Sequence, residues 1–311
     1  MKRLAYITIA SLLCVSQLLA QKKNIAERLG HPADAKLLII HADDLGVTHS
    51  ENMASIIGLE ESPVNSASIM VPCPWFPEIA AYAKQHQNLD FGLHLTLNSE
   101  WKYYRWGPVT SKDSVASLID DDGYLYPLIP DVIANATPEQ VELELRNQVK
   151  RAYEYDIDVT HLDAHMGTAM ATPEFLEAYI KIGKENQLPV LLDNQIPALQ
   201  DEKIQAMLTD TDVIVDNTYT ARPDDYDKGM AQYYTNVLNT IAPGLNCLLI
   251  HLAYDDAEMQ GVTVEHPYWG AKWRQDDFDF FTSSTCQSLL EQNNIKLVTW
   301  RELRDSIVRG K

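Results

Sequence analysis

The sequence predicts a parallel α/β fold closed into a (β/α)-barrel-like single domain, and three observations predict it. Eight short runs rich in Val, Ile and Leu follow one another along the chain. Helical patterns separate most of them, and no Pro/Gly/Ser linker, internal repeat or low-complexity tract divides the whole. Strands alternating with helices are the pattern of a parallel sheet covered by helices, and a count of eight suggests a closed barrel. A flat doubly wound sheet shares that alternation and is the competing arrangement. With 311 residues, 46% of them hydrophobic, the chain can bury a large core.

The first twenty residues stand apart. Lys2 and Arg3 precede an apolar run over 4–19, which ends Leu18-Leu19-Ala20 before Gln21. A basic start, an apolar stretch and a small residue at the break predict a signal peptide over 1–20 and a mature domain over 21–311, periplasmic or secreted. A membrane anchor is the competing reading, but Ser11, Ser16 and Gln17 interrupt the run and it falls short of the ~20 residues that a span prefers. Removing Lys2 and Arg3 leaves 23 basic against 44 acidic residues, a formal charge of −21. Such a surface argues against nucleic acid and against an anionic membrane as partners after cleavage. Cys73, Cys247 and Cys286 are too few and too widely spaced for a disulfide scaffold, and are expected as buried thiols.

The predicted strands fall at 36–41, 65–71, 90–95, 158–162, 189–192, 212–215, 246–251 and 296–299. Between them, Thr48 with Glu51 makes a capping box for a helix to about residue 61. Thr137, Pro138 and Gln140 open a helix to about 155, and Thr172 with Pro173 opens another. The connection over 97–136 is unusually long and holds Trp101, Tyr103, Tyr104 and Trp106. Connections of that length are commonly lids or binding loops, whose aromatics can stack on sugar rings; a local satellite core is the alternative.

The chemistry gathers at strand ends. The first strand delivers His41-Ala42-Asp43-Asp44, the third carries His94, the fourth ends His161-Leu162-Asp163-Ala164-His165, and the seventh ends in His251. An acidic pair or a lone histidine in an apolar run is ordinarily structural. Four strands that all end in His or Asp on one rim are hard to explain by packing, and that rim is where barrel enzymes place their catalytic groups. Neighbours in extended chain point to opposite sides, so Asp43 and Asp44 can converge only in a bend after the strand. One carboxylate and two imidazoles make a facial metal site with open positions, the apparatus of metal-assisted hydrolysis. The chain has no G-x-S-x-G, no P-loop, no H-E-x-x-H and no strand-linked G-x-G-x-x-G, so serine-hydrolase, nucleotide and dinucleotide readings lack support.

The segments HADDLG at 41–46, GLHLTL at 92–97 and HLDAHMG at 161–167 resemble the YdjC-like carbohydrate deacetylases, also called the ChbG/HpnK family. Matching context runs from Leu37 to Trp300. The resemblance implies a (β/α)-barrel-like fold and removal of N-acetyl groups from amino sugars such as chito-oligosaccharides, with one divalent metal ion, Mg2+ or Zn2+. It implies Asp43 as general base, and Asp44, His94 and His165 as metal ligands. Two departures stand out. Ala164 and Gly167 replace the Ser and final His of the family's third motif, which leaves His165 as ligand with His161 as fallback. His251-Leu252-Ala253 stands where members carry His-Pro-Gly. His251 keeps the imidazole and is expected to protonate the departing amine, with Asp163 orienting a nearby imidazole.

Arg274 is a candidate partner for Asp43 that would keep its carboxyl ionised; a solvated Arg at a helix start is the competing reading. Arg274, Trp273 and Trp101 are the candidate substrate-binding residues, and Trp269 a further pocket wall. The expected partner is a small N-acetylated sugar or oligosaccharide, and a homodimer is left open. Two other functions compete: a metal-dependent hydrolase of another amide or ester, and a sugar-binding barrel without catalysis.

Overall fold

The structure is a computed structural model that describes residues 23–310. The signal peptide expected over 1–20 lies outside the described residues. Among the described residues seven strands are formed: β1 Lys36–Leu45, β2 Ser66–Ile69, β3 Phe91–Leu95, β4 Leu162–Ala164, β5 Asn217–Thr220, β6 Gly244–Ile250 and β7 Ile295–Leu297. All pair in parallel in the order β4-β3-β2-β1-β6-β5, and β7 pairs with the start of β1. Two isolated parallel bridges, Leu162 to Val190 and Asp193 to Val215, carry the pairing from β4 back toward β5 and complete the circuit. The sheet is thus curled into a barrel-like ring with helices outside it, as the alternation of elements predicts.

Two predicted strands shrink to those bridges. Over 189–192 only a short ladder forms, because Pro189 has no N–H and offers just its carbonyl to Leu162 N (3.0 Å) before Leu191 N returns to Leu162 O (2.8 Å). The run over 212–215 contributes a single bridge at Val215, and the regular strand starts two residues later. In the other direction, β1 is four residues longer than expected and runs through Asp43 and Asp44.

Residues of β1 alternate between two cores. Leu38, Ile40 and Ala42 face the helices, while Leu37 and Ile39 join Leu245, Cys247, Val215 and Trp300 in a smaller inner cluster. His41 and Asp43 continue the inner face toward the C-terminal rim. The helices begin where their caps predict. Thr48 accepts from Glu51 N (2.9 Å) to open His49–Glu61, Thr137 opens Pro138–Glu154, and Thr172 opens Pro173–Glu185. The Thr48 box is only half closed, because the Glu51 carboxylate is engaged elsewhere. Cys73, Cys247 and Cys286 are free and buried. Among the described residues no helix is long and apolar enough to cross a membrane.

The long connection after β3 packs its aromatics into the main hydrophobic core and, among the described residues, builds no separate local one. Trp106 is buried there and donates through its indole to Asn98 O (3.0 Å). Tyr103 is exposed, and Trp101 is buried against the rim of the barrel.

Candidate metal centre

The C-terminal ends of the strands surround a cavity of about 610 Å³. At its floor the register between β1 and β2 shifts between Ala42 and Leu45. Asp44 sits in this irregularity with φ +70°, a left-handed conformation uncommon outside glycine. The shift performs inside the strand what the sequence reading assigned to a bend after it. It turns Asp44 away from the alternation, so that both Asp43 and Asp44 reach the same cavity.

Three side chains converge there. Asp44 Oδ1 lies 3.3 Å from His94 Nε2 and 3.3 Å from His165 Nδ1. The donor atoms of Asp44, His94 and His165 all fall within 4.8 Å of one another, and all three residues are buried. The remaining ring nitrogens are held by carboxylates. His94 Nδ1 is 2.9 Å from Asp163 Oδ1, and His165 Nε2 is 3.0 Å from Glu100 Oε2. A ring N–H given to a carboxylate fixes the tautomer and leaves the other nitrogen's lone pair for a cation. On Asp44, Arg274 Nη2 binds Oδ2 at 2.8 Å, while Oδ1 is buried without a hydrogen-bond partner. An orphaned carboxylate oxygen facing two imidazole lone pairs fits a metal ion. These buried groups could hold one.

The electrostatics agree. Burial opposes ionisation of Asp44, but the Arg274 guanidinium and the two imidazoles hold its carboxyl well below the usual range. Burial also opposes charge on His94 and His165. The Asp163 and Asp43 carboxylates nevertheless raise His94 well above its ordinary value, and Glu100 with Asp44 raises His165 to about 9. Without a cation, protons occupy the imidazoles and compensate the carboxylates.

Asp43 lies beside this cluster. Its Oδ1 is 3.1 Å from His41 Nε2 and has no hydrogen-bond partner, while its Oδ2 is 3.9 Å from His251 Nε2. His41 is a residue whose part the sequence reading missed. Its Nε2 also meets Asp163 Oδ2 (2.7 Å) and its Nδ1 meets Ser66 Oγ (2.9 Å). Burial works against its charge, but the hydrogen bond to Asp163 and the nearby Asp43 carboxylate lift His41 to about 9. His251 goes the other way. Burial holds it down at about 4 against the pull of Asp44 and Asp43, so its ring is neutral at physiological pH.

Three expected placements are corrected. Arg274 is neither solvated nor paired with Asp43; it is buried and bridges Asp44 and Glu51. The acidic partner that the capping box assigned to a helix start serves this buried pair instead. Trp273 is not on the cavity wall but behind it, stacked between Trp269 (5.0 Å) and Tyr226 (4.8 Å). Trp101 and Trp269 do line the cavity. His161, the fallback ligand, is stacked on Trp300 at 5.1 Å and groups with His41 and Asp163 rather than with Asp44. Burial keeps it well below its ordinary value and therefore neutral. Glu100 gave no signal in the sequence, since nothing local marks a carboxylate five residues past a strand as the partner of a histidine 65 positions on.

A parallel barrel whose C-terminal rim gathers carboxylates and imidazoles into a cluster that could hold a cation defines the class: an α/β-barrel protein with a candidate metal centre in a pocket at the rim. The chain belongs to the YdjC-like protein family, whose model matches residues 37–292. Among relatives, a carbohydrate deacetylase of Thermoanaerobacter pseudethanolicus is 26% identical over 270 residues, 86% of this chain and 100% of that one. A carbohydrate deacetylase of Brevibacillus brevis is 28% identical over 86% of this chain and 99% of its own. One from Thermus thermophilus is 35% identical over 54% of this chain and 58% of its own. Among solved structures, a candidate cellobiose-phosphate cleavage protein of Enterococcus faecalis superposes with TM-score 0.71 at 20% identity, over 86% of this chain and 99% of that one. That likeness establishes the shared fold.

Proposed function

We propose that this protein is a metal-dependent hydrolase that removes N-acetyl groups from amino sugars or chito-oligosaccharides, with Asp43 as general base. The observation that carries the reading is the convergence of Asp44 Oδ1, His94 Nε2 and His165 Nδ1 beside a second, separately held carboxylate. The full-length relatives named carbohydrate deacetylase support the substrate class. A divalent cation held by Asp44, His94 and His165 would supply Lewis-acid polarisation of the acyl carbonyl and acidify a water molecule.

The chain's own residues divide the proton work. Asp43 takes a proton as a water oxygen bonds to the acyl carbon. When the C–N bond breaks, the leaving nitrogen needs that proton. His251, neutral at rest and 3.9 Å from Asp43 Oδ2, is the carrier that can receive it and pass it on. Products are acetate and the free amine. His41 lies 3.1 Å from Asp43 Oδ1 and helps to position it, while Arg274 keeps Asp44 charged.

Magnesium and zinc are the metals proposed, zinc being the better match to two imidazoles. The N-terminal segment is proposed as a cleaved signal peptide that sends the domain to the periplasm or medium, which the N-terminal mass of the exported protein tests. The function itself is tested by metal analysis of the purified protein with an acetate-release screen over N-acetylated saccharides, before and after chelation. Release that depends on metal and vanishes in Asp43→Asn is expected; release unaffected by chelation would sink the reading.

A further inference from the structure

His251 carries the proton in the proposed reaction, yet among the described residues no protein group hydrogen-bonds its imidazole. The ring nitrogen Nε2 stands 3.9 Å from Asp43 Oδ2 and 3.9 Å from Asp44 Oδ2, beyond hydrogen-bond reach of both. Its place is therefore set from behind, through the backbone. β6 ends at Ile250, and the β1–β6 register ends with Ala42 opposite Ile250, so the His251 N–H lies past that ladder. An N–H that leaves a ladder inside a protein needs another acceptor.

The helix Ala271–Phe281 supplies it. Asp277 Oδ2 accepts from His251 N at 3.0 Å. Asp277 Oδ1 meets the hydroxyl of Tyr234, on the helix Met230–Thr240, at 2.7 Å. The next alternate N–H groups turn to the same helix: Asp255 N donates to Gln275 Oε1 at 3.0 Å, and Ala253 N reaches Arg274 O at 3.5 Å. Between them Tyr254 N donates to Ser50 Oγ (3.0 Å), on the helix His49–Glu61. One turn of helix thus carries Arg274, whose guanidinium holds Asp44, and Asp277, which holds the backbone of His251.

Asp277 is fully buried and forms no salt bridge among the described residues. Burial pushes its carboxyl up to about 8, so near neutral pH it is mostly the acid. One oxygen then accepts from His251 N–H, and the other keeps its hydrogen bond with Tyr234. An amide reproduces both contacts; an apolar side chain of the same shape reproduces neither.

We propose that Asp277 is the positioning residue of His251: by accepting its backbone N–H, it sets the imidazole where a proton can pass from Asp43 to the leaving amine. The assignment rests on the deacetylase reading for the role of His251, and adds a residue that touches neither metal nor substrate.

The test compares metal-loaded wild type with Asp277→Leu, Asp277→Asn, His251→Ala and the double variant Asp277→Leu/His251→Ala. Acetate release from N,N′-diacetylchitobiose is measured beside NMR spectra of protein labelled at histidine Cε1. Alanine variants assign the His251, His94 and His165 signals. Asp277→Leu should lower kcat by about 10- to 100-fold with KM within about twofold, because a small misplacement of a proton carrier acts on the chemical step. Asp277→Asn should stay within about threefold of wild type. The double variant should be within about twofold of His251→Ala alone, since Asp277 acts through that ring. In the spectra, Asp277→Leu should move the His251 signal and leave those of His94 and His165 in place. Should Asp277→Leu fail to fold, Tyr234→Phe removes the other contact of Asp277 and should give the same selective shift, with kcat lower by about 2- to 5-fold.

A His251 signal that stays in place overturns the proposal, whatever the activity. So does a moved signal with wild-type kcat, a loss that adds in full to that of His251→Ala, or a change spread equally over His94 and His165, the pattern of general loosening. If the His251 signal alone moves but no form releases acetate, the deacetylase reading falls and the positioning of His251 stands.

Discussion

Replacing Asp163 with Asn perturbs the centre without touching a proposed metal ligand. The buried carboxylate of Asp163 accepts three hydrogen bonds: His94 Nδ1 at 2.9 Å on Oδ1, and His41 Nε2 at 2.7 Å with Ser68 Oγ at 2.8 Å on Oδ2. An amide has the same shape but only one oxygen. If that oxygen keeps His94, the NH2 group must face His41 and Ser68; the serine can accept, but the protonated imidazole cannot. Losing such an oriented carboxylate costs about 10- to 100-fold in metal affinity, or about 1.4–2.7 kcal/mol. A second effect opposes it. Asp163 is a main reason that His94 holds a proton well above its ordinary value, and that proton competes with the cation. Without the carboxylate the competition fades, so the loss is smallest near neutral pH and grows as the pH rises and the wild-type imidazole gives up its proton. Competition titrations against a chelating dye at pH 7 and pH 9.5 measure this directly. Equal affinity of wild type and Asp163→Asn at pH 9.5 would refute the assignment of Asp163 as the group that orients His94.

Other expectations follow from the same geometry. In the wild type, metal affinity should climb steeply between pH 6 and about 9 with release of protons, since metal binding must deprotonate His165, raised to about 9, and His94, raised well above its ordinary value; calorimetry in buffers of different ionisation enthalpy counts them, and a flat profile would contradict the shifts. Asp43→Asn should lower kcat by about 10²- to 10⁴-fold and leave metal affinity within a few-fold, whereas His94→Ala should lose both. Arg274→Met strands Asp44 as a buried charge and takes the guanidinium from Glu51, whose carboxyl burial already raises well above its ordinary value, and should destabilise the fold by about 3–5 kcal/mol, read as a drop in the chemical-denaturation midpoint. A variant as stable as wild type would refute the role of Arg274 as the partner that Asp44 needs.

What the sequence determined by itself is local in origin. Apolar runs of four to seven residues between capped helices dictate parallel strands, since both faces of such strands are buried. The strand ends then carry His41, Asp43, Asp44, His94, His165 and His251 to one rim, whatever the details of packing. The caps at Thr48, Thr137 and Thr172 are legible for the same reason: each depends on residues three or four positions away. Tertiary structure decided what depends on distant partners or on exact register. Pro189 and the late start of β5 reduced two strands to bridges, because ladder hydrogen bonds belong to pairs of segments. The shift between Ala42 and Leu45 depends on how β1 meets β2, and it alone turns Asp44 beside Asp43. Arg274 finds Asp44 and Glu51 more than 220 residues away, and Glu100 finds His165 across the barrel mouth. Charge pairing inside a protein is set by which groups the folded chain buries together, since an unpaired buried charge is too costly to leave. The residue types at the rim therefore announce a candidate metal centre, and only the folded barrel selects which of them face it.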